Sequence, residues 1–202
     1  MGDPKKAKKK YSGPLHPWQK LRIDKENELK KFYSLKNKKE IWKASSLLRK
    51  FTGNAKKIIR NRLKKPEQSK LEETQLMNKL YHLNLIEKDK KAEDVLSLTV
   101  ENILDRRLQS QVQKLGLARS MIQARQFIVH GHISVSGKKL AVPTYLVKRE
   151  DKITFSPSST LFNPEHPERA AKEKEIKKEL QELRKETEEL KNHKEEPGVE
   201  AV

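Results

Sequence analysis

Between residues 102 and 155 the spacing of apolar residues changes period once, and that change constrains the architecture more than any other feature of the chain. Val100, Ile103, Leu104, Leu108, Val112 and Leu115 recur near one face of a helix predicted over 99–115, and Gly116 suits its C-terminal cap. Ser120 is an N-cap residue for a second helix over 121–130, which Gly131 ends. Met121, Ala124 and Ile128 share its inner face, and Gln123, Gln126 and His130 share the opposite one. The period then becomes two. Ile133 and Val135 alternate with Ser134, Ser136-Gly137 is a turn signal, and further strands are predicted around Leu140, Val142, Tyr145 and Val147 and at Ile153 and Phe155. Two helices followed by a small, mostly antiparallel sheet result.

Upstream, the reading is helical. Trp18, Leu21, Leu29, Phe32, Tyr33, Ile41, Trp42, Leu47, Leu48 and Phe51 fall at helical spacing, with a break expected at Gly53-Asn54 and a stop at Pro66. Residues 69–98 continue a small helical domain with a loop near Asn84. Residues 1–17 hold Lys5, Lys6, Lys8, Lys9 and Lys10 with Pro14 and Pro17 and no apolar period, so they read as a flexible basic arm. Residues 156–164 carry Pro157, Ser158-Ser159 and Pro164 and read as a linker. Beyond them Ile176, Leu180, Leu183 and Leu190 stand near heptad positions in a Glu- and Lys-rich tail, too short a run for a coiled coil and better suited to a single charged helix. The expected fold class is α+β: a basic arm (1–17), a helical N-terminal domain (18–101), a small inserted or appended α-β domain (102–155), and a linker with a charged helical tail (156–202).

Charge narrows the function. Lys and Arg number 46 against 28 Asp and Glu, a formal net charge of +18 that a polyanion would neutralise. It is segregated. Residues 1–66 carry 22 basic and 5 acidic groups, and residues 102–155 carry 10 and 3. Residues 67–101 and 156–202 are each weakly acidic. Apolar residues make up only 34% of the chain, so the core is small and part of the chain is expected to order on its partner. The absence of cysteine excludes disulfides and thiolate zinc sites and fits a cytoplasmic protein. No apolar run is long enough for a membrane span, and the lysines at the start precede no apolar signal segment.

The candidate binding residues follow from this segregation. Arg106, Arg107, Arg119 and Arg125 are expected on the exposed faces and ends of the two helices, with Gln123 and Gln126 beside them. The guanidinium fork suits phosphate. A merely solvated face is the competing reading. It is weakened by the scarcity of acids, only Asp105 standing in this block before Glu150. Neither Arg107 nor Arg125 lies on the apolar stripe, so replacing both is expected to leave the fold intact. His130 and His132 flank Gly131. Two histidines two apart are too few for a metal site, so a turn beside RNA or at the surface is expected. Lys138 and Lys139, and upstream Arg49, Lys50, Lys56, Lys57, Arg60 and Arg62, complete the set. Trp18, Trp42 and Tyr145 can stack on bases, but core packing is the commoner fate of aromatics in such stripes. No Gly-rich phosphate loop or nucleophile elbow is present, so neither catalysis nor a cofactor nor a small-molecule substrate is expected.

The run from Ile103 through Gln109, then Leu117-Ala118-Arg119 and Ala124 through Val135, then Val142 through Val147, resembles the small RNA-binding domain of the ribosomal protein S4 family. The segments His16-Pro17-Trp18, Leu35 through Ala44 and Asp94 through Glu101 resemble the archaeal and eukaryotic branch, the archaeal more closely. The resemblance implies a small-subunit ribosomal protein in the cytoplasm that binds 16S ribosomal RNA directly and early in assembly. It also implies a position near ribosomal protein S5 and a part in translational accuracy. By position, Arg106, Arg107, Arg119, Arg125, His130 and His132 match the family's RNA-facing residues. Two turns depart from the pattern: Ser136 stands where relatives carry Asn, and Glu150-Asp151 where Gly-Asp is common. The zinc site of some bacterial relatives does not carry over to a chain without cysteine. Three rivals remain at this point: an enzyme using the same module as a tether, a DNA-binding architectural protein, and a scaffold built on the tail.

Overall fold

In the computed structural model the described residues are Lys9, 11–88, 90–163 and His166. The lysines of the arm other than Lys9, and the tail with Ile176, Leu180, Leu183 and Leu190, lie outside them. The chain divides into two units, residues 1–154 and 155–202.

The first unit begins with three helices, α1 (Lys20–Phe32), α2 (Lys38–Asn61) and α3 (Pro66–His82). Helix α1 stops where Leu35 N–H reaches back to Lys30 O at 3.0 Å and Ser34 takes a left-handed φ of 47°. Pro66 starts α3, where its missing N–H costs nothing, and Asn84 closes it at φ 51°. The expected break at Gly53-Asn54 does not occur, and α2 runs through it for 24 residues. Phe51, Ala55 and Ile58 are buried against Leu76 and Leu80 of α3 and against Ile86, Ala92 and Val95. That burial outweighs the cost of one interior glycine, about 1 kcal/mol. The first half of α2 packs Ile41 and Ala44 with Tyr33, Leu35, Ile103 and Leu104 in a second cluster.

The helix expected over 99–115 is two helices, α4 (Val100–Asp105) and α5 (Leu108–Lys114). Arg107 between them is extended, with ψ 146°. The backbone there pairs with a distant segment: Leu108 N–H donates to Tyr145 O at 2.8 Å, Val147 N–H to Arg106 O at 3.0 Å, and Arg107 bridges Leu146 in antiparallel sense. Ser110 Oγ and Gln111 Nε2 donate to the carbonyls of Leu104 and Asp105, which the end of α4 leaves open. Beyond Gly116 (φ 76°), Ser120 caps α6 (Met121–Val129) by accepting from Gln123 N–H, and Gly131 follows at φ 74°. Leu108 and Val112 of α5 and Ala124 and Ile128 of α6 are fully buried where the two helices pack.

The sheet is smaller than expected. It comprises β1 (Ile133–Val135), β2 (Lys138–Lys139) and β3 (Ile153–Phe155) in the order β2-β1-β3, with Ser134 opposite Lys139. Ser136 and Gly137, both at positive φ, make the β1–β2 turn. The strands expected around Leu140 and Val142 do not form. Tyr145–Val147 instead pairs with residues 106–108, beside Pro143, which has no N–H to give a ladder. Trp18 does not enter a core: it is 91% exposed.

In the second unit, where a linker was expected, Ser159 Oγ accepts from Leu161 N–H at 3.1 Å and caps a 3-10 turn over Thr160–Phe162.

Candidate nucleic-acid interface

The four arginines of the 102–155 block part company in the structure. Arg107 is not on an exposed helix face. It is 4% exposed, and its Nη2 donates to Glu40 Oε2 of α2 at 2.5 Å. Arg125 of α6 reaches the other oxygen of the same carboxylate, Oε1, at 3.2 Å, and Gln109 Oε1 at 3.5 Å. Burial alone would raise the Glu40 carboxyl, but the two guanidiniums outweigh it and hold its pKa below the usual carboxylate value. Arg106 is half-buried, donating from Nε to Leu83 O at 3.0 Å and from Nη2 to Val147 O at 2.9 Å. Burial lowers its pKa, while Asp151 acts in the opposite sense.

Arg119 is exposed in the segment before α6, and its backbone N–H donates to Gln123 Oε1 at 2.8 Å. Gln123 is therefore partly engaged in closing the start of α6. At the other end of that helix, Gln126 and His130 are exposed and His132 is half-buried, its ring edge-on to Phe127 at 6.0 Å between centroids. A Cβ built on Gly131 would lie 2.1 Å from Lys139 Cε, so the aliphatic chain of Lys139 lies over this glycine. The C-terminal end of α6 thus gathers His130, His132 and Lys139, with Lys138 exposed on the same short strand.

The upstream cations lie on α2. Arg49, Lys50, Lys56, Lys57 and Arg60 are all exposed along its length, with Arg62 just beyond its end. Arg62 pairs with Glu73 at 3.3 Å and Glu93 at 3.4 Å, and Arg49 Nη1 donates to Ser12 Oγ at 3.1 Å. No cluster of three potential metal ligands occurs among the described residues.

Residues 106–153 match the S4 domain family. The chain is 48% identical over 162 residues to the small ribosomal subunit protein uS4 of Sulfolobus acidocaldarius, covering 79% of this chain and 90% of that protein. It is 47% identical over 163 residues to the small ribosomal subunit protein uS4 of Methanothermobacter thermautotrophicus, covering 80% of this chain and 94% of that protein. The chain belongs to the uS4 family, archaeal type.

The uS4 resemblance marked Arg106 and Arg107 as RNA-facing, yet in this chain both side chains face inward. What sequence reasoning missed is their partner. Glu40 is the single acid between Glu28 and Glu67 in the most basic part of the chain, and that isolation was the available signal. Gln109, which helical spacing places on the polar face opposite the apolar stripe, is instead 1% exposed: its Nε2 donates to Tyr33 O at 3.2 Å and Met121 O at 2.9 Å, tying α5 to the α1–α2 turn and to α6. Tyr33 O–H donates to Asp105 Oδ1 at 2.9 Å, and burial together with that carboxylate raises the phenol pKa strongly. Asp151, in a turn that departs from the family pattern, accepts from Tyr145 O–H at 3.1 Å and Lys148 N–H at 2.9 Å.

Proposed function

We propose that the chain is a structural, non-enzymatic constituent of the small ribosomal subunit, acting in the cytoplasm, and that it binds 16S ribosomal RNA directly. The observation that carries this reading is the surface at the C-terminal end of α6. It lies within the S4-domain match, it gathers His130, His132, Lys138 and Lys139, and no acid occurs between Asp105 and Glu150. Gln126 extends that surface, Arg119 is exposed at the opposite end of α6, and Arg49, Lys50, Lys56, Lys57 and Arg60 on α2 form a second one. Contact is mainly to phosphates, 2′-hydroxyls and shape, with specificity set by the RNA's own fold. Arg106, Arg107 and Arg125 hold the S4 domain on the helical domain, and Gln123 shapes the start of α6.

The chain joins early, at a multi-helix RNA junction, and lies near ribosomal protein S5 with a part in translational accuracy. Its organisation is an arm (1–17), a helical domain (18–101), an S4-type domain (102–155) and a tail (156–202) that meets neighbouring ribosomal proteins.

The test is filter binding of the full chain to 16S ribosomal RNA with duplex DNA as competitor. Binding that survives excess DNA and is lost to excess unlabelled 16S RNA is expected. Equal competition by the two overturns the reading in favour of an architectural DNA-binding protein.

A further inference from the structure

Trp18 is presented to solvent by a clamp that leaves its backbone little freedom. The indole, 91% exposed, stands immediately before Gln19, the N-cap of α1. On its other side, Arg22 Nη2 donates to His16 O at 3.0 Å and to Pro17 O at 2.8 Å. Arg22 Nη1 is held in turn by Glu26 Oε1 at 2.9 Å. Glu26 is 7% exposed and also takes the indole N–H of Trp42 at 3.0 Å and Lys38 Nζ at 3.5 Å. The buried anchor thus fixes an arginine, the arginine fixes two successive carbonyls, and the next residue is a tryptophan facing water. Pro17 restricts the same backbone further.

A single exposed aromatic is ordinary, but Trp18 stands with Leu15 and Leu21 in one exposed apolar stretch of sequence, which marks an interaction site. The surroundings say for which partner. From Pro4 through Ile23 the sequence holds no acid, and Lys20, two positions after Trp18, is exposed. An acid-free stretch with an exposed aromatic ring on a held backbone matches a polyanion with unpaired bases, because the cations take the phosphates while the ring takes the base. Leu15 and Leu21, 88% and 74% exposed, add apolar area that a protein surface would also cover. The absence of acid, and a tryptophan set on a backbone that Arg22 holds, favour the nucleic acid.

We infer that Trp18 is a base-stacking residue, taking an unpaired nucleobase of ribosomal RNA whose flanking phosphate lies against Lys20. This rests on the RNA-binding reading above and adds a site outside the S4 domain.

The experiment is 16S RNA binding by the full chain carrying Trp18→Ala, Trp18→Phe or Trp18→Leu, each checked for folding by circular dichroism. Stacking on one base predicts that Trp18→Ala weakens binding by roughly fivefold to a hundredfold. Trp18→Phe, which keeps a ring, stays within about threefold of wild type, and Trp18→Leu, which keeps apolar area without a ring, falls with alanine. Quenching of tryptophan fluorescence by RNA is expected in wild type and largely lost in Trp18→Phe. An alanine variant that binds like wild type overturns the inference while leaving the RNA-binding reading standing. Leucine matching phenylalanine overturns it, because apolar area without a ring would then suffice for RNA binding. A wild-type chain that does not bind 16S RNA overturns the underlying reading and this inference with it.

Discussion

Arg107 donates to Glu40 across 67 positions of sequence, and the same carboxylate takes Arg125 on its second oxygen. One acid on α2 therefore holds one arginine before α5 and another on α6, and it is a buried charged tie between the helical domain and the S4 domain.

Glu40→Gln leaves two guanidiniums without their counter-charge, one of them with a side chain only 5% exposed. Removing one partner of a buried ion pair costs about 3–5 kcal/mol, and urea unfolding should report a loss of that order. A change under about 1 kcal/mol would show that the tie contributes little. The double Arg107→Ala, Arg125→Ala variant, expected from the sequence to stay folded, should also destabilise, because it strands the carboxylate.

The same tie carries a pH dependence. The Glu40 pKa in the folded chain lies below its usual value of 4.5. A lowered folded pKa contributes stability that is complete above the unfolded pKa and is lost as pH falls through the folded one. The gap in unfolding free energy between wild type and Glu40→Gln should therefore be constant near neutrality and narrow below about pH 4.5. A gap that widens on acidification would mean that the carboxyl is raised instead.

Gly131→Ala tests the end of α6. The residue sits at φ 74°, and its new Cβ would meet Lys139 Cε at 2.1 Å. The left-handed backbone alone costs about 1–2 kcal/mol, and Lys139 must also move. A double-mutant cycle with Lys139→Ala separates the two: the glycine substitution should cost less in the Lys139→Ala background. Equal costs in both backgrounds would place the lysine elsewhere.

Lys57→Ala with Arg60→Ala removes two exposed cations from α2, whereas Arg62→Ala removes one already paired with Glu73 and Glu93. Charge-assisted contacts contribute about 1.5–3 kcal/mol each. The pair should weaken 16S RNA binding by roughly a hundredfold or more, and Arg62→Ala by about threefold at most. A weaker effect for the pair than for Arg62→Ala would move the interface off α2.

Salt should act through the same contacts. If the exposed cations Arg49, Lys50, Lys56, Lys57 and Arg60 on α2 and Arg119, Lys138 and Lys139 beside α6 meet phosphates, the slope of log affinity against log salt should be about −5 or steeper. A flat titration would remove the electrostatic account.

Much of the S4 domain was legible because its signals are local. The caps and turns at Gly116, Ser120, Gly131 and Ser136-Gly137 each stand where the sequence placed them, since a left-handed φ or an N-cap hydrogen bond involves residues within a few positions. The division of charge along the chain was legible for the same reason: it is a property of composition. Gly53 misled because a propensity near 1 kcal/mol is overruled by the burial of Phe51, Ala55 and Ile58 on α3, which composition alone does not reveal. Tertiary structure alone decided which arginines face water. Arg106 and Arg107 left the helix where a segment some forty positions later offered the backbone a partner. Arg107 turned inward because Glu40 was waiting there. The sequence states that both charges exist, but an ion pair depends on the distance between them, and only the closed chain sets that distance.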